Sequence, residues 1–517
     1  MNYADLFRVT LPETALEIAA LLVLVVDLGF LRKAALRLRV AVAALLGMAG
    51  CGAAIWALFW STGTGNIWGL GLANSHELLL VSTFYVGAAQ TGILLLTAVT
   101  LTLLVGSDFT RHIGEYVAVV LMAAAGGLLV AGAQDLLVIF VGLELLSLGL
   151  YILTGFAKSS GKSAEAALKY YLFGGMSAAF LLFGFSYFYG MTGSTNLVKI
   201  QEAIVASGPS PLFYVAWILV VAGLGFKIAA VPFHLWAPDT YEGAPAPAAA
   251  FIASVSKVAS FTLLISLSLA WLRPGEGSGA WPQLAGILMV LAAASMIVGN
   301  LAALAQVSVR RLLAYSAIAH AGYMLLGIAF IHGYAGQSGP SDFSKAALAS
   351  TFSSANAVLY YILTYGLTTI GAFGVVDVVE RATGSDKLDA FLGLHKRNPA
   401  LAAVLLVLFL SLAGIPPLVG FWAKFNLFAA VLGVSAGPVP FALVALAVAF
   451  SAVSLYYYLQ VLKRAYVMPA VDETSGNKIH AHPVTLAVLV LIAVAVVVLG
   501  CFPALLQGWI ASFYPVL

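Results

Sequence analysis

Long apolar runs, each closed by a short polar stretch, recur along the whole chain. A helix needs about 20 residues to cross ~30 Å of hydrocarbon. Fourteen runs reach that length: 11–31, 40–60, 82–106, 115–133, 136–156, 165–190, 211–232, 244–270, 282–305, 311–333, 348–376, 400–432, 439–462 and 484–511. The fourth and fifth are separated only by the Ala-Gln-Asp stretch at 133–135. The connections leave no soluble segment large enough for a nucleotide, a flavin or an iron–sulfur cluster. The pattern predicts an all-α polytopic membrane protein of about 14 transmembrane helices, a single membrane domain over 1–517.

Two runs are abnormal. The twelfth is too long for one helix and is interrupted by Gly414, Pro416, Pro417 and Gly420; the seventh continues through Pro232, Pro238 and Pro245. Proline removes a backbone donor and clashes with the preceding turn, so helices 7 and 12 are both expected to be broken. Irregular backbone at membrane depth is tolerated only where protein or a water-filled cavity surrounds it. Broken helices in corresponding places mark an inverted-repeat transporter. Here they lie five runs apart, and a unit of five spans has odd parity, so its second copy enters the membrane upside down. The expected organisation is three N-terminal helices (1–110), a first repeat of helices 4–8 (111–270), a second of helices 9–13 (282–465) and a last helix (484–511).

Charge supports this topology. Of the 24 Lys and Arg residues, sixteen fall in loops after odd-numbered runs, whereas Arg8, Lys199, Arg273 and Lys345 fall in loops after even runs or in the N-terminal tail. The positive-inside rule then puts both termini outside. The N-terminal stretch has acidic residues before its apolar run and no small-residue cleavage site, so it reads as a retained first helix. A composition of 62% hydrophobic and 9% charged residues excludes an ordinary soluble domain, which carries roughly 25% charge. Basic residues scattered in loops form no nucleic-acid footprint. Cys51 and Cys501 suggest neither a metal site nor a disulfide.

The remaining four basic residues, Lys169, Lys227, Lys257 and Lys424, sit inside apolar runs together with Glu144 and His320. Charges there cost a few kcal/mol on insertion scales and usually line a polar path. Glu144, mid-run, reads as a carboxylate that modulates a nearby lysine or takes a proton; the alternative is a structural hydrogen bond. Lys227 stands just before a break, where an ion pair with Glu144 would act as a switch, the alternative being a snorkelling side chain. Lys257, flanked by Ser254, Ser256 and Ser260, suggests a hydrated path. Lys424, just after the Pro-Pro break, is expected to take in the second unit the role of Lys227. His320 is the expected counterpart of Glu144 and either relays a proton or packs by a hydrogen bond. Lys169 has Glu165 at i−4 and is either a surface pair or part of the path. His234, Asp239 and Glu242 form an entry funnel or a solvated turn at the inner mouth.

The segments EAALKYYLFGGMSAAFLLFG, GLGFKIAAVPFHLWAPDTYEGAPAPAAAFIASVSKVASF and SLAGIPPLVGFWAKF resemble the antiporter-like membrane subunits of respiratory complex I (NADH-quinone oxidoreductase). Among them the subunit N branch fits: no lateral helix follows the fourteenth run, and Lys424 stands where subunit M has a glutamate. The resemblance implies one half-channel with Glu144, Lys227 and Lys257, a second with Lys424, and His320 between them. It places Lys169 in an ALKYF-like family motif. It also implies a proton-translocating part of a translocase in a bacterial inner membrane, with membrane and peripheral partner subunits, lipid around it, and no cofactor of its own. Rival readings are a subunit of a multi-subunit cation/proton antiporter, a relative in a ferredoxin- or hydrogenase-linked complex, and a structural spacer.

Overall fold

The computed structural model describes residues 9–62, 80, 84–107, 109–271, 281–331, 345–434, 437–469 and 478–512. Arg8, Arg273 and both chain ends lie outside the described residues, as does the side chain of Lys345. The described chain is almost wholly helical. In order the helices are α1 (Leu11–Val25), α2 (Leu36–Thr62), α3 (Phe84–Thr102), α4 (Ile113–Gly132), α5 (Leu136–Thr154), α6 (Gly161–Thr192) and α7 (Leu197–Ser207). There follow α8 (Pro211–Ile228), α9 (Trp236–Gly243), α10 (Ala246–Phe251), α11 (Lys257–Trp271), α12 (Trp281–Leu304), α13 (Val309–Ala329) and α14 (Lys345–Thr383). The chain ends with α15 (Leu394–Arg397), α16 (Pro399–Ala413), α17 (Val419–Val434), α18 (Pro438–Tyr466), α19 (Pro483–Cys501) and α20 (Pro503–Ser512).

Among the described residues twelve helices are long and apolar enough to cross a bilayer, fewer than the fourteen runs. The difference has a local cause. The first run divides at a π-turn, Val26–Phe30, and the twelfth divides into α16 and α17 at Gly414. The π-turn carries Asp27, which sequence reading passed over. Its buried carboxylate accepts both Arg39 Nε (2.7 Å) and Arg39 Nη2 (2.6 Å) and meets the Gly114 N–H at the start of α4. A bidentate pair of this kind fixes geometry as well as charge, and it ties the N-terminal helices to α4.

Side-chain caps set several helix starts. Asp135 accepts from Leu137 N and starts α5, so the three-residue break between the fourth and fifth runs is real. Ser160, Ser210, Ser308 and Asn398 do the same for α6, α8, α13 and α16.

Two corners with the same chemistry end α6 and α14. Thr192-Gly193-Ser194 ends α6 and Thr383-Gly384-Ser385 ends α14. Both glycines adopt positive φ (68° and 73°) and donate at 2.7 Å to the carbonyl four residues back. Each threonine Oγ1 bonds the helix carbonyl four residues back at 2.8 Å and receives the serine N–H at 3.4 Å. The residues that follow bridge to the cap of another helix, Asn196 to Asp135 and Lys387 to Ser308. The polar pair is exchanged between the corners. In the first, Thr195 donates to the cap Asp135 (2.6 Å); in the second, the cap Ser308 donates to Asp386. Since α6 spans 32 residues, roughly 48 Å at 1.5 Å per residue, the first corner lies across the bilayer from Lys162 at the other end of that helix. Lys162 pairs with Glu242, and Glu242 with Arg311, three residues after the Ser308 cap that meets the second corner.

Both expected breaks are present. The helix before each ends on a left-handed residue, Ala229 (φ 59°) after α8 and Gly414 (φ 90°) after α16. Ala230 N and Ile415 N return to the carbonyls of Gly225 (2.8 Å) and Leu410 (3.0 Å), which closes the helix end in the Schellman manner. Each break contains a cis X–Pro bond, at Val231–Pro232 and Pro416–Pro417.

Two substitutions test these elements in the purified assembly. Asp135→Ala removes a cap and the Thr195 bond and is expected to cost about 1–2 kcal/mol, seen as a lower thermal midpoint. At Gly420 a Cβ would fall 1.8 Å from the Ser411 carbonyl oxygen, so Gly420→Ala is expected to push α17 off α16 and lower the midpoint further. An unchanged midpoint for Gly420→Ala would contradict the described break.

Candidate functional site

Burial separates the sequence candidates into two sets. Lys227, Lys257, His320 and Lys424 are all buried in the helix bundle. Glu144 is half-buried on α5. The side chain of Lys169 is 39% exposed.

Lys227 lies on the last turn of α8, two residues before the left-handed Ala229. Its Nζ donates to Ser147 Oγ at 2.5 Å and to Tyr151 O–H at 3.5 Å, and Ser147 in turn donates to the Leu143 carbonyl. The rings of Phe226 (5.4 Å) and Tyr151 (5.8 Å) lie within cation–π range. The expected ion pair with Glu144 is not formed: the ammonium meets hydroxyls and rings. Glu144 sits one turn before Ser147 on α5, close enough to act on the site through its charge.

Lys257 follows a π-turn, Ile252–Ser256, in a wholly buried span. Single π-turns often accompany functional sites. Its Nζ donates to the Ala317 carbonyl of α13 at 2.5 Å and lies 5.5 Å from the Tyr365 ring. The Tyr365 ring is 4.8 Å from the imidazole of His320. His320 Nδ1 meets the Tyr361 hydroxyl at 2.9 Å, and Nε2 faces the Tyr458 hydroxyl at 3.5 Å. Tyr458 also shares a hydrogen bond with Ser316, one turn before His320.

Lys424 lies on the second turn of α17 and folds back over the break. Its Nζ donates to the carbonyls of Leu412 (3.1 Å) and Ala413 (2.9 Å) and to Ser451 Oγ (2.8 Å). The first two are terminal carbonyls of α16, where the helix dipole favours a cation. The Tyr323 ring is 5.4 Å from the ammonium and 5.8 Å from His320. Tyr323 belongs to a further polar group: Asn300 Nδ2 donates to its hydroxyl (3.2 Å), and Tyr457 donates to Asn300 Oδ1 (3.1 Å).

The structure thus brings Lys257, His320 and Lys424 together around shared tyrosines, and holds Lys227 in a separate nest. It also corrects two correspondences. Counted from the Asp135 and Ser308 caps, Glu144 is nine residues in and His320 twelve, so the residue in register with His320 is Ser147, which binds Lys227. Ala317, which binds Lys257, is in register with Glu144. Lys227 precedes its break, whereas Lys424 follows its own by ten residues and reaches back. The two lysines meet the ends of corresponding half-helices from opposite sides.

Lys169 belongs to the mouth built around α9. It pairs with Glu165 and with Asp239 of α9, each at 2.7 Å. Arg311 at the start of α13 pairs with Asp239 (2.5 Å) and Glu242 (3.1 Å), and Lys162 with Glu242 (3.1 Å). Arg310 donates to the Ala244 carbonyl (2.7 Å) and pairs with Glu380 (2.6 Å). The mouth is therefore a partly buried ion-pair network that clamps α9 to α6 and α13, not a freely solvated turn. Inside it, Tyr170 stacks on Trp236 (4.3 Å, 7°), and Tyr170 meets Tyr151 edge-on, so aromatic rings separate the network from Lys227. Among the described residues no group of three His, Cys, Asp or Glu side chains is placed to hold a metal ion.

The family described as NADH:quinone oxidoreductase/Mrp antiporter, TM matches residues 133–339 and 343–451. NADH-quinone oxidoreductase subunit N 2 of Acidobacterium capsulatum is 45% identical over 528 residues, covering 99% of this chain and 99% of that one. A chain of respiratory complex I from Thermus thermophilus with bound aureothin superposes with a TM-score of 0.75 at 32% identity, covering 96% of this chain and 98% of that one. A chain of the Mrp complex from Dietzia sp. shares the fold, with a TM-score of 0.78 at 22% identity over 97% and 96% of the two chains. With buried lysines on both sides of a buried histidine and relatives that match end to end, this chain belongs to the antiporter-like membrane subunits of NADH-quinone oxidoreductase, in the subunit N family.

Proposed function

We propose that this chain is a proton-translocating membrane subunit of an NADH:quinone oxidoreductase. The observation that carries the reading is the buried set Lys257–His320–Lys424, joined through tyrosines inside the bundle. Taking an ion of this kind out of water costs several kcal/mol even after relaxation, and a buried lysine readily changes its proton affinity with its surroundings. Such groups have no use in a structural spacer. Protons enter from the inner side near Lys227, pass Lys257 and His320, and leave past Lys424 to the outside. Glu144 acts on Lys227 through space from the half-buried face of α5, where a partner subunit can reach it. Lys169 serves the inner clamp. Its two carboxylate partners make it a positioning residue for α9.

In this reading the units 111–270 and 282–465 are the two opposed half-channels. Both termini face outside a bacterial inner membrane, and about fourteen helix passes result when the divided first and twelfth runs are counted. Electrons pass from NADH to quinone in partner subunits, and this chain holds no redox centre. The antiporter alternative shares the fold, but the 45% relative spans the full chain.

In the assembled complex, reconstituted in vesicles, Lys227→Ala or Lys424→Ala is expected to lower proton pumping coupled to NADH oxidation. Wild-type pumping stoichiometry in both would contradict the reading. Ser147→Ala leaves the Lys227 ammonium without its nearest acceptor. The same assay is expected to show a larger loss there than in Ser186→Ala, a serine on the exposed side of α6 that bonds only its own helix.

A further inference from the structure

Helix α12 carries no charged side chain, yet near its end it buries an asparagine completely. Both the nitrogen and the oxygen of the Asn300 amide are engaged. Nδ2 donates to the Met296 carbonyl (2.7 Å) and to the Tyr323 hydroxyl (3.2 Å), and Oδ1 accepts from the Tyr457 hydroxyl (3.1 Å). A carbonyl only accepts, so the Met296 bond fixes which end of the amide faces which phenol. The two phenols come from different helices, α13 and α18, and both border the buried lysine–histidine set. The Tyr323 ring lies 5.4 Å from the Lys424 ammonium and 5.8 Å from His320. The Tyr457 ring lies 4.6 Å from that of Tyr458, whose hydroxyl faces His320 Nε2 at 3.5 Å.

The other partners of Lys424 are the Leu412 and Ala413 carbonyls and Ser451. Carbonyls at a helix end are held by the backbone. A ring is held only by its packing and by whatever grips its hydroxyl, and cation–π attraction needs the cation over the ring face. For Tyr323 the grip is Asn300. Counted back from the Asp135 and Ser308 caps, the position in register in the first unit is Gly127, which has no side chain to do this.

We infer that Asn300 is a positioning residue for Lys424: its amide pins the Tyr323 hydroxyl and so holds the ring face against the ammonium. The inference rests on the proton-path reading above, in which Lys424 takes up and releases a proton. The titratable side chains around the site, from the helices packed on α17, are His320 and Tyr323 of α13, Tyr361 and Tyr365 of α14 and Tyr458 of α18. Helices α16 and α19 bring no charged side chain.

The test uses the intact complex in vesicles and reads NADH-driven pumping per assembled complex against pH. Asn300→Leu removes the amide at nearly constant volume, and Tyr323→Phe removes only the hydroxyl it grips. In each, pumping at neutral pH is expected to fall roughly two- to tenfold, what one net hydrogen bond is worth. The alkaline limb of the pH profile is expected to move to lower pH, because the ammonium loses part of its ring contact. A merely structural asparagine would scale the profile without moving it. The double variant is expected to pump no less than Asn300→Leu alone, since each change breaks the same bond. An unmoved profile in either single variant, or losses that multiply in the double one, would overturn the inference. If Asn300→Leu fails to assemble, the profile of Tyr323→Phe decides alone. Lys424→Ala is measured beside them. Wild-type pumping there would sink the proton-path reading itself, whereas loss there with unmoved profiles at 300 and 323 would sink only the role of Asn300.

Discussion

Inside a bilayer every backbone polar group must find its partner within the protein. Two runs of this chain break inside the helix bundle, and each break leaves carbonyls and amides that no water can satisfy cheaply. The structure meets this demand with side chains. Trp236 Nε1 donates to the Phe226 carbonyl (2.9 Å), and Ser295 accepts the Val231 N–H (2.9 Å) at the first break. At the second, Ser411 accepts the Gly420 N–H (3.2 Å) and Lys424 covers the last two carbonyls of α16. The polar groups that make a proton path feasible are thus partly the groups that make the breaks tolerable. Lys424 does both.

That double use explains why the two units are alike in scaffold and unlike in chemistry. The Thr-Gly-Ser corners and left-handed helix ends repeat almost bond for bond. The lysines do not repeat. Lys227 sits before its break and is satisfied by the neighbouring helix α5, while the corresponding position on α16 is Leu412, whose carbonyl is served by a lysine from beyond the break. One unit offers an ammonium facing hydroxyls and rings, near the half-buried Glu144. The other offers an ammonium seated on a helix dipole beside the tyrosines of His320.

Much of the architecture is legible in the sequence because the bilayer imposes simple rules on length, charge and proline. Run lengths located the spans, Gly414 and the Pro-Pro pair located a break, and the deep lysines stood out by their cost. What escaped the sequence depends on register and on distant contacts. The partner of Lys227 is Ser147, not Glu144, because one helical turn decides which side chain faces α8. His320 aligns with Ser147 only once the Asp135 and Ser308 caps are seen to correspond. Asp239, seventy residues from Lys169, binds it through the fold alone. Tyrosines such as Tyr361 and Tyr458 read as apolar filling in a hydrophobic run, yet their hydroxyls surround the central imidazole.

In the proposed function the two units form one continuous proton route through Lys257. The most direct measurement is the number of protons pumped per NADH oxidised by the reconstituted complex carrying Lys257→Met, which keeps the buried volume and removes the amine. The route described here predicts fewer protons per NADH with the complex assembled. A wild-type ratio in that variant would contradict it.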